Sequence, residues 1–95
     1  MKNKHNTPIQ NQYKFVEKLS EGLISLSNPV YGNQLWTSCT IKKDKECVIS
    51  KVPLKGKVAY RPLTNAGNRM DRISTEEVNK LVMEATVSLI KAKGV

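Results

Sequence analysis

Lys42, Lys43 and Lys45 fall within four consecutive positions, and Lys51, Lys55, Lys57, Arg61, Arg69 and Arg72 follow before residue 73. Cations at this density suit phosphate. Each Lys or Arg that meets a phosphate oxygen releases a condensed counterion, so binding falls steeply as salt is added. Trp36, Tyr31 and Tyr60 lie close by in sequence, and such rings stack on unpaired bases for about 1–3 kcal/mol per base. Lys2 and Lys4 offer a basic arm, and the loop Asn65-Ala66-Gly67-Asn68-Arg69 offers backbone N–H groups to an anion. The plain alternative is that these lysines blunt sheet edges and keep the protein soluble.

Other chemistry is sparse. His5 is the single histidine, and no acid or nucleophile is placed beside it, so general acid–base work has no obvious agent. Cys39 and Cys47 are compatible with a cross-strand disulfide, but reduced core thiols are the simpler expectation. A zinc site would need four ligands, and no Cys or His cluster supplies them. Glu76-Glu77 is a carboxylate pair that a helix start already explains. No nucleophile elbow, phosphate loop or His-Glu-x-x-His run is present. The sequence therefore calls for no cofactor and no metal.

The elements that must carry the basic residues are short. The chain has 95 residues, 39 % of them hydrophobic, and a formal net charge of +8. That is one domain with a small core and a thin stability margin. No stretch approaches the ~20 apolar residues a bilayer span requires. Nor does an apolar segment follow the basic Met1–Lys4 start, so neither a leader nor a membrane location is expected. A charged fraction of 25 % argues against wholesale disorder. The charge is uneven: residues 42–73 hold most of the excess, while the flanking periodic segments are near neutral.

Residues 1–6 read as a flexible basic tail, ahead of one domain over residues 7–95. Thr7-Pro8 suits a helix start. Ile9, Tyr13, Val16, Leu19, Leu23 and Leu26 then recur at spacings of three and four, which predicts a helix ended by Asn28-Pro29. Residues 35–41 and 47–52 read as a β-hairpin around the charged loop 42–46, with Ile41 opposite Cys47 and Cys39 opposite Ile49. Leu54-Lys55-Gly56-Lys57 predicts a second turn, and Val58 to Arg61 a third strand. Ser74-Thr75-Glu76-Glu77 is a capping box, followed by Val78, Leu81, Val82, Ala85 and Leu89 at helical spacing, with Lys91, Lys93 and Gly94 suited to the helix end.

The fold class expected is α+β: helix, three-stranded antiparallel sheet, helix. Apolar groups occur on both expected hairpin faces, Cys39, Ile41 and Ile49 on one and Trp36, Val48 and Val52 on the other. That pattern predicts completion by a homodimer.

The functional expectation is a cytoplasmic, non-enzymatic nucleic-acid-binding protein, regulatory or coat-like. It acts on RNA or DNA through Lys42, Lys43, Lys45, Lys51, Lys55, Lys57, Arg61, Arg69, Arg72, Trp36 and Tyr60. Two other classes compete. One is a module that binds an acidic protein through a strand edge or apolar face. The other is a small basic ribonuclease toxin with Lys57, Arg61 and Arg69 stabilising the charge on phosphorus.

Overall fold

The computed structural model describes residues 7–93; the expected basic tail at 1–6 and the helix stop at Gly94 lie outside the described residues. A 3-10 turn at Ile9–Asn11 leads into five strands. These are β1 (Lys14–Ser20), β2 (Leu23–Asn28), β3 (Gly32–Thr40), β4 (Val58–Pro62) and β5 (Ile73–Ser74). A single long helix, α1 (Thr75–Lys93), follows. The strands form one antiparallel meander in sequence order. The helix packs against β1, β4 and β5 but not against β2 or β3. The sheet therefore curls, and α1 bridges its two edges. No helix among the described residues is long and apolar enough to cross a membrane.

This corrects the expected helix–three-strand–helix order. Where the sequence predicts a first helix, the chain makes the β1–β2 hairpin. Ser20 pairs with Leu23 across the two-residue turn Glu21-Gly22. Gly22 has φ +75°, and a Cβ there would come within 2.6 Å of Ser38 Oγ on β3. Its carbonyl also accepts the Ser38 N–H at 2.8 Å. The residue is thus turn and close approach at once, and a helix interior is the costlier place for it. The spacing misled for a definable reason. The helical stripe includes Val16 and Leu19, which are 44 % and 46 % exposed. It omits Ile24, which is 3 % exposed, and Phe15, which packs against the core. Alternation along β2, with Ile24, Leu26 and Asn28 buried, is the period that matters.

The expected hairpin is also re-drawn. β3 pairs with β4, setting Cys39 opposite Ala59 and Trp36 opposite Pro62, and not with residues 47–52. Hydrogen bonds Ile41 N–H to Lys57 O (2.9 Å) and Gly56 N–H to Ile41 O (2.8 Å) carry the pairing past the strand ends. The chain between is a folded-back excursion, residues 41–57. Within it Lys51 N–H bonds Cys47 O in a single helical-type turn at 2.9 Å, and Lys51 has φ +67°. A six-residue apolar run fits a strand or a turn equally well on composition, and Pro53 with the left-handed Lys51 decides for the turn. All six apolar groups on the two expected hairpin faces lie in or against the chain's own core. The reason given for a second subunit at that place is therefore removed.

The end of the chain follows its local signals. Ser74 Oγ accepts the Glu77 N–H at 3.1 Å. The Ser74 N–H donates to Cys47 Sγ at 3.3 Å, in place of the reciprocal bond that a capping box offers. Thr75 Oγ1 donates to Val58 O at 3.0 Å, tying the helix start to β4.

Two amide side chains organise the polar interior. Asn28 donates to Gln10 O and Gln12 O at 3.0 and 3.1 Å and accepts the N–H groups of Val30 and Tyr31. Asn68, 1 % exposed, donates to Gln34 Oε1 and to the Tyr13 hydroxyl, both at 2.8 Å, and accepts from Gln34 Nε2 at 3.0 Å. The Tyr13 ring meets the fully buried Trp36 edge-to-face at 5.2 Å, a favoured aromatic geometry. The Trp36 Nε1 donor is buried without a partner among the described residues.

Asn68→Ala leaves the Gln34 amide and the Tyr13 hydroxyl without their buried partner. It should cost about 2–3 kcal/mol by urea unfolding; a loss under about 0.5 kcal/mol would contradict this role. Burial pushes the Tyr13 hydroxyl up to about 12, with the Asn68 bond pulling the other way. Because the folded state holds this proton more tightly, stability is retained below the ordinary tyrosine range and is lost as pH rises from about 10 to 12. The expected loss is about 2–3 kcal/mol. Tyr13→Phe should remove that part of the alkaline slope, and a slope identical in the Phe variant would contradict it.

Candidate nucleic-acid interface

The basic residues are carried by two irregular segments held from beneath. The excursion 41–57 is anchored by Ile41, Cys47 and Leu54, all buried. With those three side chains inward, Lys42, Lys43, Lys51, Lys55 and Lys57 are left exposed. The loop 63–72 is anchored by Asn68 and closed by the turns Arg69 N–H to Ala66 O and Asp71 N–H to Asn68 O, at 3.0 and 2.9 Å. Gly67 lies under the Tyr31 ring, where a Cβ would meet Cε1 at 3.3 Å.

The two segments are bonded to each other. Val48 N–H donates to Arg72 O at 2.8 Å, and Lys45 Nζ donates to Met70 O at 2.7 Å. Arg72 folds its guanidinium over its own loop, with Nη1 donating to Arg69 O and Asp71 O at 3.1 and 2.8 Å. Burial raises the Asp71 carboxyl, while Lys45, Lys51 and Arg72 act to lower it. One acid thus sits among three cations drawn from both segments. Lys55 Nζ lies 3.8 Å from Asp44 with both groups well exposed, a pair that screening leaves nearly worthless for stability.

The charge is segregated along the sequence. Residues 41–72 carry nine Lys and Arg against three Asp and Glu, a net +6. The rest of the chain carries seven Lys against five Glu, a net +2.

Lys45, Lys51 and Arg72 are therefore brought together around Asp71, while Lys42, Lys43, Lys55 and Lys57 stand exposed on the excursion and Arg69 on the loop. Arg61 stands exposed on β4 opposite Thr37. Trp36 is enclosed in the core and has no free face for a base. Tyr60 is half-buried against the core between Ser38 and Ile73. Sequence reasoning missed Asn68 as the loop's anchor and Asp71 as its half-buried acid, since neither has a signal apart from its distant partners.

Cys47 is the hinge pin of the excursion. Burial works to raise its thiol, but hydrogen bonds from Ser50 and from the backbone at Ser74 and Ile49 outweigh it and bring the thiol below its ordinary value. Enclosure bars it from reaction, and both cysteines are unpaired. The β3–β4 register explains why: Cys39 faces Ala59 and not Cys47.

Comparison with protein-family models, with curated proteins and with solved structures finds no match to this chain.

Cys47→Ala removes a buried side chain and orphans the Ser74 N–H at the helix start. The expected cost is about 2 kcal/mol by urea unfolding. Cys39→Ala, at a half-buried position, should cost less than half as much. Equal losses would show that Cys47 does no more than fill space.

Proposed function

We propose that this chain binds nucleic acid, without catalysis, through the joint surface of residues 41–57 and 63–72. The observation that carries the reading is the bonding to each other of these two segments, which together carry a net charge of +5 against +3 on all the rest of the chain. Cations merely scattered for solubility would not need a common scaffold. Here Lys45 and Arg72 are fixed by backbone acceptors, and Lys42, Lys43, Lys51, Lys55, Lys57 and Arg69 are exposed on the same two segments. Such a surface recognises the phosphate backbone in preference to base edges. The two unpaired thiols suit a reducing, cytoplasmic setting.

Counterion release sets the expected behaviour. If about five of the surface's eight cations reach phosphate on duplex DNA, affinity falls on the order of 500-fold between ~50 and ~200 mM salt. Labelled single-stranded RNA, single-stranded DNA and duplex DNA measured at both concentrations would show this. No binding at ~50 mM to any of the three would contradict the reading. Replacing Lys42, Lys43 and Lys57 together with Gln should weaken binding and lower the salt slope by about 2–3. An unchanged slope would remove the excursion from the interface.

A further inference from the structure

Lys51 stands in a backbone conformation that lysine rarely takes. Its φ is +67°, and every other positive φ among the described residues belongs to a glycine. The chain before it sets the position. Lys51 N–H closes one helical-type turn on Cys47 O at 2.9 Å, so Lys51 is the residue at the turn's end, two before Pro53. Glycine is the ordinary occupant of such a place, with asparagine second. A glycine has no Cβ to crowd the following carbonyl, and every other side chain there costs the fold stability.

No internal bond of the side chain offsets that strain. Lys51 is exposed, and its ammonium makes no hydrogen bond or ion pair among the described residues. The other two cations around Asp71 differ. Lys45 Nζ is engaged by Met70 O at 2.7 Å. Arg72 Nη1 is engaged by Arg69 O and Asp71 O at 3.1 and 2.8 Å. All three act on the half-buried Asp71 carboxyl, so they lie about one acid where the two basic segments meet. Of the three, Lys51 alone keeps its donors free.

We propose that Lys51 is a direct phosphate contact of the bound nucleic acid, and that the fold tolerates its left-handed backbone in order to hold a free ammonium where the two segments join. The inference rests on the nucleic-acid reading above and adds to it which cation at the junction touches the ligand. Strained residues persist where the surrounding structure over-determines them, and they cluster at binding sites. Here the turn is pinned by the buried Cys47 and Leu54 on either side. Lysine suits the task as a compact charge with three rotatable donors on a long stem. Lys45 and Arg72 then keep the junction closed and add their charge to its field. A glycine at this position would relieve the strain and remove the contact, so one substitution should move stability and binding in opposite directions. A lysine kept only for solubility would not couple the two.

Urea unfolding, together with titration of labelled single-stranded RNA, single-stranded DNA and duplex DNA at ~50 mM salt, tests this on one set of variants. Lys51→Gly should raise the urea midpoint by about 0.5 M. It should also weaken duplex binding about tenfold and lower the salt slope by about 0.9. Lys51→Gln keeps the Cβ and loses the charge, so the midpoint should stay while affinity falls as in the glycine variant. Lys51→Arg should recover the affinity that Lys51→Gln loses. Lys80→Gln removes one charge beside the groove between α1 and β1 and should leave affinity within about twofold. If the wild-type chain binds and both Lys51→Gly and Lys51→Gln bind as tightly, this inference is overturned while the nucleic-acid reading stands. A glycine variant less stable than the wild type, or a loss in Lys80→Gln equal to that in Lys51→Gln, would overturn it as well. A wild-type chain that binds none of the three ligands overturns both readings.

Discussion

Much of this molecule depends on one buried carboxamide. Asn68 holds Gln34 of β3 and the Tyr13 hydroxyl at the same time, at distances of 2.8 to 3.0 Å. It thereby joins the loop before β5, the centre of the sheet and the entry to β1. A buried amide pair is favourable only when each donor and acceptor is answered, so the three segments fix one another. Tyr13 adds its ring edge to Trp36, and the apolar core and the polar lock become a single unit. Asn68 is the one buried side chain of the loop 63–72. Without this anchor the cations that it carries would have no common geometry.

From that anchored loop the order passes to the excursion 41–57. Arg72 O receives Val48 N–H, Met70 O receives Lys45 Nζ, and Cys47 Sγ receives the first N–H before the helix. Each bond also removes an unanswered backbone group at the base of a charged surface. The concentration of nine cations on residues 41–72 is tolerable because they project from a scaffold of buried Ile41, Cys47, Leu54 and Asn68. Their mutual repulsion is then a standing cost in the free chain, and a polyanion relieves it.

What could be read from sequence was what is local. The Ser74 cap and the helix after it rest on contacts three and four residues apart, and they stand as expected. So does the turn ending at Lys57, where Lys57 N–H bonds Leu54 O at 2.8 Å. The first thirty residues misled because Ile9, Tyr13, Val16, Leu19, Leu23 and Leu26 satisfy a helical period, yet Val16 and Leu19 within it are exposed while Phe15 and Ile24 outside it join Tyr13 and Leu26 at the core. Only pairing with β3, where Ile24 meets Trp36, makes strand the better state, and that contact spans twelve residues. The charged residues of the candidate site were legible as a composition. Their convergence was not, because it runs through Asn68, Met70 and Arg72, whose partners lie more than twenty residues away.

The most direct test of the central claim is to follow backbone amide signals by NMR while a short oligonucleotide is added at low salt. Nucleic acid held on the joint basic surface should move signals from residues 42–57 and 66–72 together and leave those of residues 83–90 on α1 unchanged. Shifts confined to the β1–α1 face, or in only one of the two basic segments, would contradict a single surface built from both.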